Sequence, residues 1–538
     1  MSEKMWRDAL RFFGASVTQH GANRMTGDLI FTNANVLTMD PARPVAGSVI
    51  VRGDTILAVM DSGPFAGRRR SGSRIIDCGG KTLMPGFCDA HCHVHAYAES
   101  LVSLNLSPRA NVFSIADIRQ KIRDCCSGKP VGTWVRGKAY SEFQLAERRH
   151  PNRQDLDAAS PLHPVKLTHR SGHAHVLNSL ALRHAGIAAE TGDPLGGMIG
   201  RDPETGEPTG ILYGMGTYLA ERIPLLDDEE MKHGVALAGD RLIECGITSV
   251  QDVSAANNFE RRRQFTAWKA DGVFKPRLTM TMGWTDFARP HPGLRAPDDG
   301  AAEVRVAGVK IIAGQVTGNL HPAQVELNEM IASIHDAGFH AVIHAVEEPV
   351  IEAVCEAIEQ ALMKNPRADH RHRIEHCSVC PPPLMQRLFR LGIRVVTQPA
   401  FIYYSGDRYL ETVPQRDLPN LYPIGAMARE GLRIGFSSDF PISEPNPMVG
   451  IHAAVSRMTE SGRRIHSEQG IGVAEALRMY TLDAAAAGFD EATRGSLSPG
   501  KFADLILLDQ NPLTAAADRL KDIRVEMTVL GGRIVWPI

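Results

Sequence analysis

Histidines at alternate positions stand in residues 84–95, which read MPGFCDAHCHVH. Side chains two residues apart project from the same face of a β-strand, so His91 and His93 can offer two imidazoles to one metal ion. His93 and His95 form a second pair with the same spacing, and the sequence does not choose between them. An isolated His-x-His is more often a polar strand end than a metal site. The metal hypothesis therefore depends on what the rest of the chain supplies.

The middle of the chain alternates strand-like apolar runs with helical patterns. Strand candidates cover 342–344, 373–376, 393–397 and 434–439. Between the first two, apolar residues recur at the spacings of one helix face: Val350, Ile351, Val354, Ile358 and Leu362. Repeated strand–helix units predict an α/β fold with a parallel sheet. A doubly wound sheet would also fit, but its glycine-rich dinucleotide fingerprint is missing.

Both ends of the chain have a different, β-rich texture. Short apolar runs separated by turns fill 28–81, and comparable runs return only at 503–508 and 525–530. We therefore predict one small β-domain composed of residues 28–84 and 486–538. Residues 1–27 are interpreted as an N-terminal extension.

Composition excludes several classes of function. The chain has 538 residues, of which 43% are hydrophobic, and its 59 Lys+Arg against 61 Asp+Glu give a net charge of -2. This balance offers no electrostatic footprint for nucleic acid or an acidic membrane surface, so we expect neither as a partner. No apolar run approaches a membrane span, and no signal peptide is evident, so a cytoplasmic location is expected. Nine scattered cysteines do not suggest a disulfide framework.

Taken together, the motifs resemble those of the amidohydrolase superfamily of metal-dependent hydrolases. Residues 85–93 are similar to its first-strand motif, and His344, His376 and Asp439 follow in the order of its later metal and catalytic strand ends. Lys310 stands where many members carry a carboxylated, metal-bridging lysine. The segment 495–509 is similar to the return of the chain into a β-sandwich. The similarity extends from about residue 28 onward.

The resemblance implies a (β/α)8 TIM-like barrel over 85–485, beside a β-sandwich formed from both termini. An eight-stranded barrel cannot hold every strand candidate, so we place 96–245 as a large insertion after barrel strand 1. Segments 171–182, 208–212 and 246–252 are similar to the long branch that includes N-substituted formamide deformylases.

The resemblance also implies a set of site residues. The metal ligands would be His91, His93, Lys310, His344, His376 and Asp439. His376 and Asp439 would also be catalytic, with Asp439 carrying the proton from the attacking water to the leaving amine. His173, from the insertion, would reach over the pocket, although a structural role for it is equally open. The cofactor would be a divalent metal, with Zn²⁺ the first expectation, at one or two ions per chain.

This resemblance predicts an enzyme, an amidohydrolase that cleaves non-peptide C–N bonds of small molecules. The bond would belong to an amide, formamide or cyclic amide and would be attacked by metal-activated water. The sequence leaves open the substrate, the metal identity, and the oligomeric state, a homo-oligomer included.

Two departures from the branch pattern leave alternatives. Gly314-Gln315 and Glu347-Glu348 replace residues that the branch usually has. His344-x-x-Glu347 resembles the arrangement in mononuclear zinc deaminases of heterocycles, in which Glu347 would shuttle a proton and Lys310 would stay unmodified. Glu347 could equally be a solvated acid in the first turn of the following helix, where the helix dipole favours it. A non-catalytic barrel scaffold is the third alternative.

Overall fold

The computed structural model describes residues 27–61, 71–194, 196–289, 304–316 and 318–537. The predicted N-terminal extension lies outside these residues except for its last position. None of the helices within the described ranges is long and apolar enough to cross a membrane.

Eight parallel strands form the central sheet, and their order in the sheet follows their order in the chain. Barrel strands 1 to 8 are Phe87–Cys92, Ile247–Asp252, Arg277–Gly283, Val304–Ile312, His340–Ala345, Arg373–His376, Arg394–Thr397 and Ile434–Phe436. The segment after strand 8 returns to strand 1, where the backbone N–H of Asp439 donates to the His91 carbonyl (2.9 Å). The sheet is thus a near-closed barrel, which confirms the predicted α/β barrel rather than a doubly wound sheet.

Helices alternate with the barrel strands. Among the described residues, the α-helices are Val94–Leu101, Ile115–Cys126, Arg153–Asp157, Ser179–His184, Gly216–Ala220, Asp228–Glu244, Phe259–Ala270, Trp284–Phe287, Gln324–Asp336, Glu348–Lys364, Pro382–Leu391, Ala400–Thr412, Ile424–Arg429, Pro447–Ser456, Val473–Met479 and Leu482–Ala487. Short 3-10 helices cover Pro108–Ala110, Leu418–Asn420, Ser467–Gln469 and Ala517–Asp522. Helix Glu348–Lys364 buries the apolar face predicted from its spacing. Such faces pack around the strands to form the main hydrophobic core.

A six-stranded mixed sheet lies, in chain order, between barrel strands 1 and 2, where the insertion is predicted. Its strands are Leu104–Asn105, Val135–Tyr140, Val165–His169, Ala174–Leu177, Met198–Arg201 and Pro208–Tyr213. One face packs against helices of the same segment and forms a separate apolar cluster, which includes Ile118, Leu156 and Leu167. The insertion therefore has a core of its own.

Strands from both ends of the chain form two further sheets. The four-stranded sheet contains Leu29–Thr32, Ser48–Arg52, Thr55–Met60 and Arg74–Asp77. The six-stranded sheet contains Asn35–Leu37, Val45–Ala46, Thr82–Pro85, Leu505–Leu508, Val525–Leu530 and Arg533–Trp536. A separate two-stranded antiparallel ribbon pairs Gly314–Val316 with Asn319–His321. Buried residues from both ends of the chain share one apolar cluster. The exact boundaries of a β-sandwich domain stay a prediction.

Gly283, the last residue of barrel strand 3, lies against the loop that follows strand 2. Its N–H donates to the Asn257 carbonyl (2.9 Å), and a Cβ added there would lie 1.9 Å from the Ala255 carbonyl oxygen. We expect Gly283→Ala to lower the free energy of unfolding by about 3 kcal/mol, because backbone must move to relieve the overlap. Urea denaturation measures this. Gly192→Ala, at an exposed site with open space around it, is the control, and equal destabilisation of the two variants would contradict the argument.

Candidate functional site

A cavity of about 2250 Å³ opens at the carboxyl ends of the barrel strands and extends between the barrel and the insertion. All six residues predicted as ligands line it: His91, His93, Lys310, His344, His376 and Asp439. Catalytic residues of parallel barrels are found at this end. The fold thus brings the predicted set to one place, although the residues are far apart in the sequence.

Three of these groups form a compact cluster at the closure of the barrel. Oδ1 of Asp439 lies 3.1 Å from Nε2 of His93 and 3.5 Å from Nε2 of His91. Ligand atoms at about 2.1 Å from a tetrahedral ion are ~3.4 Å apart. The separations therefore match those of three ligands around one ion. His95 lies instead in helix Val94–Leu101, near the ring of Trp268, so the structure favours His91 with His93 over the other pair.

His344 and His376 extend this cluster along the strand ends. The ring of His376 lies 4.5 Å from that of His344 and 4.8 Å from that of His91, centroid to centroid. His376 and Asp439 have backbone φ values of 69° and 58°. Positive φ is uncommon outside glycine and tends to occur where function holds the backbone in place.

Hydrogen bonds at Nδ1 orient three of the imidazoles. Nδ1 of His93 contacts the Ser254 hydroxyl (2.9 Å), and Nδ1 of His376 contacts the Gln398 amide oxygen (2.7 Å). Nδ1 of His91 contacts a carboxylate oxygen of Glu375. With Nδ1 engaged in this way, the Nε2 lone pair is left to face the cavity, the usual arrangement around a bound metal.

Burial keeps His91, His344 and His376 neutral. It lowers the pKa of His91 and of His344 far below the ordinary value and lowers the pKa of His376 to about 4. For His91 the charge of Lys310 adds to the effect of burial. A neutral imidazole has the lone pair that a metal ion requires. These three imidazoles are therefore in a ligating form at neutral pH.

Lys310 projects from barrel strand 4 into the same space. Its side chain is buried, and Nζ has no hydrogen-bond partner among the described residues. Burial lowers its pKa to about 8. A buried amine without a partner is costly, so the site lacks a group that would satisfy this nitrogen.

The two remaining predicted residues lie in different surroundings. His173 lies between barrel strands 1 and 2 in chain order and has an exposed side chain that lines the cavity. Glu347 is exposed at the N-cap of helix Glu348–Lys364 and is not among the described residues that line the cavity. The structure therefore brings His173 to the site and leaves Glu347 in the helix-start position considered as its alternative.

Sequence reasoning missed the charged groups behind the ligands. Glu375 lies on barrel strand 6 with Nε of Arg373 2.7 Å from its second oxygen, and both are buried. Arg373 also donates to Oε1 of Gln251 (2.6 Å). The sequence did contain a signal for this pair. Arg373 and Glu375 carry opposite charges and stand two positions apart in a predicted strand, where apolar residues are expected.

Asp89 holds the segment that carries Asp439. The N–H and the hydroxyl of Ser438 donate to Asp89 at 3.1 Å and 2.5 Å. Burial raises the pKa of Asp89 to about 7. This contact, one residue before Asp439, fixes the last strand end against the first.

Comparisons with known proteins agree with this geometry. The chain is 28% identical to an N-substituted formamide deformylase of Arthrobacter pascens, covering 94% of this chain and 97% of that protein. It is 26% identical to the protein LONG AFTER FAR-RED 3 of Arabidopsis thaliana, with 95% and 92% covered. A crystal structure of an uncharacterized metal-dependent hydrolase from Pyrococcus horikoshii superposes with a TM-score of 0.72 at 21% identity, covering 91% of this chain and 99% of that one. At that identity the last match supports the fold alone.

The family comparison covers most of the molecule. The sequence profile of the amidohydrolase family matches residues 74–536, from the terminal sheets through the barrel and back. The matched region includes every residue of the cluster at the barrel mouth. On this evidence the chain belongs to the amidohydrolase family.

Proposed function

We propose that the protein hydrolyses a C–N bond other than a peptide bond in a small-molecule amide, N-substituted formamides being the first class to examine. The observation that carries the proposal is the placement of Oδ1 of Asp439 within 3.1–3.5 Å of two imidazole nitrogens. The similarity to a formamide deformylase along nearly the whole chain supports the choice of bond. A cytoplasmic location and the lack of nucleic-acid or membrane partners remain predictions from the composition.

His91, His93 and Asp439 would hold one divalent ion, for which Zn²⁺ suits the nitrogen-rich set. His344 and His376, with Lys310, would hold a second. When bound, such an ion activates water for attack and polarises the carbonyl of the substrate. The donor chemistry fits because burial keeps His91, His344 and His376 neutral. Oδ1 of Asp439 is also buried without a hydrogen-bond partner among the described residues.

Asp439 would carry the proton in this reaction. In the hydrolysis, oxygen from water bonds to the carbonyl carbon and the C–N bond breaks. The Asp439 carboxylate would take one proton from water and give it to the departing amine. His173 would donate a hydrogen bond to the substrate from the cavity wall opposite the barrel.

Lys310 is proposed to be carboxylated on Nζ by carbon dioxide. The lowered pKa raises the fraction of free amine, which is the form that reacts. As the N–C bond forms, Nζ would lose one proton to water, which leaves a carbamate anion. Such an anion could ligate metal ions, whereas an ammonium group has donors only. The deaminase alternative needs Glu347 at the substrate, and the exposed position of Glu347 gives it no support.

Asp439→Asn should lower kcat for N-substituted formamides about a thousandfold, because the amide cannot accept the proton. Release of formate and amine, followed on metal-loaded enzyme, measures this. Asp271→Asn, an exposed surface position paired with Lys232, is the control. If chelation and reloading leave hydrolysis of every formamide and amide unchanged, the proposed function is wrong.

Lys310→Gln should reduce the metal content from about two ions per chain to about one. Elemental analysis measures the content, and carbon-13 NMR in labelled bicarbonate should show a carbamate signal in the wild type that the variant lacks. A wild type with one ion and no carbamate signal would favour the mononuclear alternative.

Glu375→Gln should weaken metal binding about 10–100-fold, because it removes the negative charge that orients His91. Competition with a chromophoric chelator measures the affinity. Glu359→Gln, which breaks an ion pair with Arg387 on the outer helices (2.7 Å), is the control. Equal affinity in both variants would exclude a positioning role for Glu375.

A further inference from the structure

The insertion sheet presents positive charge to the cavity. Strands Val135–Tyr140 and Val165–His169 pair in parallel, with Arg136 opposite Lys166 and Lys138 opposite Thr168. Because side chains alternate along a strand, these four lie on one face, and all four line the cavity. The residues between them face the apolar cluster of the insertion. The direction of these cations is thus fixed by strand register and by burial of the opposite face.

Only some of these cationic side chains have a hydrogen-bond or ion-pair partner among the described residues. Nζ of Lys138 pairs with Glu99 at 2.7 Å, and Arg136 donates to the Pro224 carbonyl at 2.6 Å. No hydrogen bond or ion pair within the described ranges ends on the side chain of Lys166. Burial lowers the pKa of Lys166 to about 8, which reports the cost of keeping its ammonium group there.

Arg261 brings a second unsatisfied cation from the barrel side. It lies in helix Phe259–Ala270, after barrel strand 2, and lines the same cavity. In the described part of the chain its guanidinium has no hydrogen-bond or ion-pair partner. Asp252, the acid with the strongest electrostatic effect on Arg261, is already engaged by the N–H of Val94 (2.7 Å) and the side chain of Asn257 (2.9 Å).

The charged region adjoins the candidate metal cluster. Asp252 ends barrel strand 2, and Ser254, two residues later, contacts Nδ1 of His93. His93 is also the N-cap of helix Val94–Leu101, whose Glu99 pairs with Lys138 of the insertion sheet. A substrate whose amide reaches His93 and Asp439 could thus extend its other end along that sheet. The charge of Glu99 acts on both Lys166 and Arg261, which places the two cations near one another, and Glu99 is already paired with Lys138.

We propose that Lys166 and Arg261 form an anion subsite, and that the natural substrate carries a carboxylate or phosphate group remote from the bond that is cut. The inference rests on the proposed function for the bond. Arg and Lys without protein acceptors are the groups that bind anionic oxygens, Arg in a bidentate manner. The substrate would thus be an acidic N-formyl or N-acyl compound rather than a neutral amide.

The test compares matched substrates on the metal-loaded full chain. N-Alkylformamides of increasing chain length are paired with ω-formamidoalkanoates and ω-formamidoalkylphosphonates of the same length. For the best length, KM of the anionic member should be at least about tenfold below that of the neutral one, as expected for a charged hydrogen bond. If the phosphonates are preferred, the anionic group of the natural substrate is a phosphate. If the alkanoates are preferred, it is a carboxylate.

Variants assign the preference to the subsite. Lys166→Met and Arg261→Met should each bring the KM ratio of neutral to anionic substrate close to one, and Lys166→Arg should restore it. Arg241→Met is the matched control, because Arg241 also lines the cavity but pairs with Glu244 (3.4 Å). Thermal melting separates loss of binding from loss of fold. Equal KM values for neutral and anionic substrates in the wild type, or a ratio that neither Met variant changes, would overturn the proposal.

Failure of the proposed function has a different signature. If no formamide is hydrolysed, isothermal titration of the same compounds still measures binding. Binding of the anionic member alone, lost in Lys166→Met and kept in Arg241→Met, would support the subsite. Equal binding of both members, or none, would reject it.

Discussion

The closure of the barrel is the constraint on which the site depends. Asp439 follows the last strand and His91 lies in the first, yet the N–H of one donates to the carbonyl of the other. The contacts of Asp89 with Ser438 hold the same junction through side chains. Because the ends of the sheet meet here, a carboxylate and two imidazoles come within reach of one ion. An open sheet would keep them at opposite edges.

Burial of this junction determines its electrostatics. His91, His344 and His376 stay neutral because protonating them inside the barrel is unfavourable. The neighbouring Arg373 and Glu375 are both buried and pair with each other. Such a pair adds little to stability by itself, but it holds a carboxylate against Nδ1 of His91. The buried pair therefore fixes the orientation of the His91 ring rather than adding to the free energy of unfolding.

Much of the fold and of the site followed from sequence. The apolar spacing of 350–362 predicted the helix that the structure shows there. The repeated strand–helix units likewise predicted the parallel sheet. The order of the motifs predicted six ligand residues, and all six line one cavity. What could not be predicted depends on contacts across the fold: whether His95 or His91 partners His93, and whether Glu347 faces the cavity. The role of Glu375 depends on the packing of strand 6 against strand 1, and no local pattern specifies it.

The insertion has a hydrophobic cluster separate from that of the barrel. Its cavity-facing side chains stand on strands whose opposite face is anchored in that cluster. Mutations there can change which molecules are accepted while the reactive centre on the barrel stays undisturbed. A substitution within one of the two cores therefore need not disturb the packing of the other.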